Sequence, residues 1–277
     1  MHKDKILTRA ALIIVADVCA HVIVTSASGK LQGISGEKVV SFRGIPYGKA
    51  PVGDLRWKAP SPVEAWSGVR KANSFPPGCI QRKVLERLPW SREFMLQAPT
   101  SEDCLYLNVW TPSNFHSRKL PVYVFFHGGG FIEGAGSIDV YDGSNLAQKG
   151  LVVVTVNYRL GALGFLAHPA LSAESVLHVS GNYGFLDAVA SLQWVKDNIA
   201  AFGGDATKVT IGGQSACGYR KLRPSWKREN LVCMPTLRAG ETDRSNHSVA
   251  IQRRSESQSG ESKEQSGVSS RPDCFGS

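Results

Sequence analysis

Beyond its first residues the 277-residue chain has no segment approaching the roughly 20 uninterrupted apolar residues that a membrane-spanning helix needs, so no membrane span is expected. Its six cysteines are too few for a disulfide-dense scaffold. The net charge of +9 comes from Lys and Arg scattered along the chain rather than from basic blocks interleaved with aromatics, which argues against a nucleic-acid partner. No cluster of metal-ligand spacing appears, and neither metal nor cofactor is expected.

What is present is globular material: 42% hydrophobic residues are ample for a buried core. The N-terminus reads as charged residues, an apolar stretch over 10–16, then Asp17-Val18-Cys19-Ala20. Those are the three regions of a secretory signal, so residues 1–20 are expected to be a signal peptide and the protein secreted or extracytoplasmic. Cys79 and Cys104 bracket a loop-like stretch with Pro76-Pro77-Gly78 and Pro89. In an oxidising compartment they could close it, and in a reducing one they would stay thiols.

Short extended runs at 22–24, 38–42 and 44–48, broken by glycine and proline, predict small hairpins. Residues 105–110 read as an alternating strand with one buried face, ended by Thr111-Pro112. The near-continuous apolar runs 121–126 and 151–156 suit central strands covered on both faces. Phe185, Val189, Leu192, Val195 and Ile199 recur at helical spacing, and Gly203-Gly204 stops that helix. A short strand at 208–211 follows, running into Gly212-Gly213-Gln214-Ser215-Ala216-Cys217-Gly218. Strand, helix, strand in this order implies a parallel α/β sheet, central in the fold, with flanking helices.

A serine on a sharp strand-to-helix turn is held clear of its sheet, and the free N–H groups of the following helix face developing negative charge; Ser215 is placed for this. His127-Gly128-Gly129-Gly130-Phe131 directly after a buried strand can turn its N–H groups toward a substrate oxygen as an oxyanion hole.

With these elements the chain resembles the type-B carboxylesterase and cholinesterase family. Glu102-Asp103-Cys104-Leu105-Tyr106-Leu107-Asn108-Val109-Trp110 is similar to the family's second signature, and the stretch from Phe202-Gly203-Gly204-Asp205 to Ser215-Ala216 to its nucleophile signature. Phe42-Arg43-Gly44-Ile45-Pro46-Tyr47, Asn157-Tyr158-Arg159-Leu160-Gly161 and Gly181-Asn182-Tyr183-Gly184 stand around them in family order. The resemblance implies part of an α/β-hydrolase fold over 21–218 and hydrolysis of small carboxylic esters. Ser215 would be the nucleophile, with the N–H groups of Gly129, Gly130 and Ala216 as oxyanion donors. It also implies a disulfide between Cys79 and Cys104, and structural ion pairs of Arg56 with Glu102 and Arg159 with Asp187. Gln214 stands where the family usually has glutamate.

Several features depart from the family pattern. Cys217 replaces a glycine and Gly212 an aromatic, either of which is expected to loosen the nucleophile turn. In the family, the acid and histidine of the triad follow the serine at long range. Here 62 residues follow Ser215, and His247, the one histidine among them, lies in Arg244-Ser245-Asn246-His247-Ser248, a poor setting for a general base. Residues 219–277 are serine-rich and basic with no sustained period, and are expected to form a disordered tail. The change at 217–219 reads as a frameshift, retained intron or misjoined gene model, leaving an incomplete and inactive half-fold. The alternatives are a non-catalytic recognition or adhesion protein of the same fold and a non-functional truncated product. Trp90 is expected to be a packed tryptophan rather than a contact for cationic substrates.

Overall fold

The computed structural model describes residues 21–82 and 91–215. The expected signal peptide, Trp90, Ala216, Cys217, His247 and the serine-rich tail lie outside the described residues.

Among the described residues there are ten strands: β1 (His21–Ser26), β2 (Gly29–Ser35), β3 (Val39–Pro46), β4 (Val69–Lys71), β5 (Gly78–Cys79), β6 (Thr100–Ser101), β7 (Tyr106–Pro112), β8 (Leu120–Phe126), β9 (Val152–Val156) and β10 (Gly204–Gly213). The helices are α1 (Ser144–Ala147), α2 (Gly161–Phe165), α3 (Pro169–Glu174) and α4 (Tyr183–Asn198). The main sheet runs β1-β2-β3-β7-β9-β8-β10, with β4 beside β2, while β5 and β6 pair separately. The sheet is mixed rather than parallel as expected: from β1 to β9 neighbours are antiparallel, because the hairpin strands join its edge, and β9, β8 and β10 are mutually parallel. The site grows from the parallel end.

β9 is buried at all five positions, as its unbroken valine-rich sequence requires. Its alternation splits the core between two faces. Val152, Val154 and Val156 join Val122, Val124, Phe42, Leu192, Val195 and Phe202 on the α4 side. Val153 packs with Trp110 and Ala147 on the α1 side.

Four further sequence expectations change on inspection. The runs 38–42 and 44–48 are not two strands: β3 continues across them, with a register shift against β7 between Phe42 and Ile45. β7 is not one-faced; apart from half-buried Tyr106 it is buried throughout, because β3 and β9 flank it and core lies on both sides. The strand expected at 208–211 reaches from Gly204 to Gly213, opening with an irregularity against β8 between Gly204 and Val209. In α4 Leu192 and Val195 are buried but Val189 is exposed. Beside Leu192 and Val195 its inward stripe takes in Trp194 and also Asp187, Ala188 and Ser191, polar or small residues that a purely apolar template passes over. The helix tightens into a 3₁₀ turn over Ile199–Phe202 and ends at Gly203 in the left-handed region (φ 78°), from which Gly204 opens β10.

Candidate active site

Immediately beyond β10, the Gln214 N–H donates to the Phe126 carbonyl at 3.2 Å, extending the parallel pairing with β8 by one bond. Ser215 then turns to φ 53°. A non-glycine residue there costs on the order of 1–2 kcal/mol and persists only where surrounding structure imposes it. The reversal lifts Ser215 off the sheet at the carboxyl ends of the parallel strands, where α/β sheets gather their ligands. Gly212 does not leave a void in this turn. The Tyr123 ring occupies the space, its hydroxyl 2.2 Å from where a Cβ on residue 212 would stand.

The glycine loop leaves the end of the neighbouring strand, β8. A Cβ on Gly128 would sit 2.8 Å from the Gln214 carbonyl oxygen and nearer still to its side chain, so the glycine loop and the Ser215 turn are in direct apposition. Gly129 has φ 105°, and a Cβ there would stand 2.1 Å from the Glu133 carbonyl oxygen, a position open only to glycine. The Gly129 carbonyl accepts from the N–H groups of Ile132 and Glu133 at 3.0 and 3.1 Å. Among the described residues the N–H groups of Gly129 and Gly130 have no acceptor of their own. Backbone carbonyls turned away and amides left open are what an oxyanion site requires.

Buried polar groups hold this loop. His127 Nδ1 lies 2.8 Å from the Gly128 carbonyl, which can only accept, so the proton is on Nδ1. Burial pushes the imidazole pKa from 6.5 to about 4, and the ring is neutral at pH 7. It stacks on Tyr158 at 4.4 Å, and the Tyr158 hydroxyl donates to the His127 carbonyl at 2.8 Å. Further on, the Gly136 N–H donates to Asn157 Oδ1 at 2.8 Å, and the Gly136 carbonyl accepts from Thr155 Oγ1 at 2.7 Å. Asn108 Nδ2 donates to Thr155 Oγ1 at 3.0 Å. Sequence reading attached no role to Asn108, Thr155 or Asn157; polar residues inside otherwise apolar strands were the available signal.

Arg159 and Asp187 form a buried pair: backbone N, Nε and Nη2 of Arg159 donate to the Asp187 carboxylate at 3.0, 2.8 and 2.7 Å. Burial raises the Asp187 pKa against the opposing pull of the guanidinium. Arg56 grips Glu102 through two bonds of 2.6 and 2.7 Å, at side-chain exposures of 39% and 26%, so this pair is far more solvated. The Arg56 guanidinium lowers the Glu102 pKa. Cys79 and Cys104 form a disulfide with Cα atoms 5.0 Å apart, fastening the segment that walls the cleft.

That cleft, of about 470 Å³, is lined by Gly128, Gly129, Gly130, Gln214 and Ser215 on one side and by residues such as Phe94, Met95, Leu96, Ile138 and Tyr141 elsewhere. Its size suits a small organic ligand, and its surface mixes apolar side chains with polar ones such as Gln81, Arg82 and Glu133. The cleft thus brings Ser215, Gly129, Gly130 and Gln214 together, with the disulfide and the two ion pairs outside its lining. None of the described histidines hydrogen-bonds Ser215. Among the described residues no three His, Cys, Asp or Glu side chains gather as metal ligands.

A mixed sheet with flanking helices, a serine turn at a parallel strand end and an adjoining glycine loop define part of an α/β-hydrolase fold. The chain belongs to the carboxylesterase family, whose model matches residues 20–219. It is 54% identical over 189 residues to the fumonisin B1 esterase of Sphingopyxis macrogoltabida, covering 68% of this chain and 34% of that protein. It is 41% identical over 206 residues to acetylcholinesterase-1 of Trittame loki, covering 71% of this chain and 35% of that protein. A solved PNB esterase structure matches with a TM-score of 0.62 at 46% identity, over 72% of this chain and 39% of the other. The chain therefore spans between a third and two fifths of the length of these relatives.

Proposed function

We propose that this chain carries the nucleophile and oxyanion half of a serine carboxylesterase site acting on small carboxylic esters. The observation that carries the reading is Ser215, held at φ 53° off the end of β10 and lining one cleft with a glycine loop whose Gly129 and Gly130 amides have no acceptor among the described residues. In the reaction, Ser215 Oγ adds to the ester carbonyl as its proton leaves to a base. The carbonyl oxygen takes up negative charge against the N–H groups of Gly129, Gly130 and Ala216. Collapse expels the alcohol, reprotonated on its oxygen, and leaves an acyl-Ser215 ester that water cleaves. Gln214 contributes no charge beside the nucleophile, so the electrostatic help comes from backbone dipoles.

The described residues supply no histidine to Ser215. Turnover by this chain is therefore expected at the residual level of roughly 10³–10⁴ over water that oxyanion donors and binding alone provide. Residues 1–20 act as an export signal in this reading, supported by their three-region pattern and by the Cys79–Cys104 bond, which suits an oxidising compartment.

Hydrolysis of p-nitrophenyl acetate by the purified chain, beside Ser215→Ala, tests the proposal. A Ser215-dependent burst of p-nitrophenol of up to one equivalent, above a residual turnover shared with Ser215→Ala, supports it. A time course without that burst, equal to Ser215→Ala throughout, counts against it and favours a recognition protein on the same fold.

A further inference from the structure

The glycine loop is tied to the disulfide segment through one side chain. Gln81 Oε1 accepts from the Gly134 N–H at 2.8 Å, and Gln81 Nε2 donates to the Gly134 carbonyl at 2.9 Å and to the Cys79 carbonyl at 3.0 Å. The two ends of one amide group satisfy both backbone groups of a single residue, as a neighbouring strand would, and so fix its orientation as well as its position. Gly134 needs such a restraint. It sits at φ 108°, with its missing Cβ position 2.3 Å from His127 Nδ1. That nitrogen is the one that donates to the Gly128 carbonyl.

The geometry points to Gln81 as a positioning residue that, through Gly134 and the His127 ring, sets the direction of the oxyanion amides of Gly129 and Gly130. Gln81 is anchored from behind: β5, which contains Cys79, pairs with β6, and Cys79 is bonded to Cys104. Gln81, Gly134 and the glycine loop also line the same cleft. Losing both bonds to Gly134 frees the loop to rock about the turn closed by Ile132 and Glu133 on Gly129, and the amides then leave the line of the developing oxyanion. The consequence for catalysis rests on the esterase reading above, whereas the contact itself does not.

The test uses the full chain and the variants Gln81→Ala and Gln81→Glu, with amide hydrogen exchange followed residue by residue. In Gln81→Ala the Gly134 amide should exchange at least about tenfold faster, the expected size for the loss of its acceptor together with the partner bond. The amides of 128–133 should follow it while those of β8 and β9 keep their rates. Gln81→Glu retains an acceptor for the Gly134 N–H but sets a carboxylate oxygen against the Gly134 and Cys79 carbonyls, so it should recover only part of that protection, and more of it as the carboxyl is protonated at low pH. An unchanged Gly134 rate in Gln81→Ala would overturn the proposal, as would an equal acceleration of β8 and β9, which marks general destabilisation. In p-nitrophenyl acetate hydrolysis, Gln81→Ala should lower the rate of the Ser215-dependent acylation burst about tenfold, with the ester concentration for half-maximal burst rate within about twofold, since one oxyanion donor is worth 10²–10³. An unaltered burst rate with a loosened loop would refute the positioning role. Should wild type equal Ser215→Ala, the esterase reading fails, and exchange still decides whether Gln81 holds the loop.

Discussion

Acidification should unlock the glycine loop through His127 before it touches the carboxylates. The imidazole is fully enclosed, with Nδ1–H spent on Gly128 and Nε2 without a partner among the described residues. Its pKa falls from 6.5 to about 4 because burial opposes the charged form. A depressed pKa in the folded state means that the unfolded chain takes up the proton first. The stabilisation held above pH 6.5 is therefore lost as pH falls through that value toward about 4. Each unit of difference is worth about 1.4 kcal/mol, so between pH 7.5 and 4.5 the loss from this group alone is about 2–3 kcal/mol, a sizeable part of a typical domain's stability. His127→Phe keeps a ring to stack on Tyr158 and removes the titration. Urea unfolding followed by tryptophan fluorescence across this range should show wild type losing about 2–3 kcal/mol more than the variant. Parallel pH profiles for the two proteins would refute the assignment.

Asp187→Asn leaves the Arg159 guanidinium buried without its counter-charge and should destabilise by about 3–5 kcal/mol in the same unfolding assay, while Glu102→Gln, at a solvated pair, should cost much less. Replacing both Cys79 and Cys104 by alanine should lower stability by about 3 kcal/mol, read as a drop in the urea midpoint. Asp205 is held at a pKa of about 2, first by the Thr207 hydroxyl and then by the Thr207 N–H. Thr207→Val should move it up toward the ordinary carboxylate value in an NMR titration. The stabilisation from this group is present above pH 3.8 and fades as pH falls toward 2, so the variant should lose that acid-side dependence.

The central strands were readable in the sequence because nothing interrupts them: 121–126 and 151–156 offer no polar face to confuse the period. β2 escaped notice for the opposite reason. Gly29, Lys30, Gln32 and Gly33 have the composition of a turn, and only pairing with β1, β3 and β4 makes them a strand. Val189 was assigned inward because apolar spacing cannot distinguish a core position from an uncovered one, while Asp187 and Ser191, which are inside, carry no apolar signal at all. At the site, Ser215 and the glycine loop are legible because a strand-end turn confines its residue types to small ones. Gln81 is not legible, since its function depends on Gly134, a partner 53 positions away that no local pattern joins to it. The same holds for Asn108 and Gly136, brought together only by the sheet.

Peptide mapping by mass spectrometry after incubation with excess p-nitrophenyl acetate addresses the nucleophile most directly. With no histidine at Ser215 among the described residues to activate water, an acetyl group transferred to Ser215 should remain there, so the adduct accumulates on the Ser215 peptide and is absent from Ser215→Ala. Acetyl groups found only on lysines, with Ser215 unmodified, would contradict a nucleophilic role for this serine.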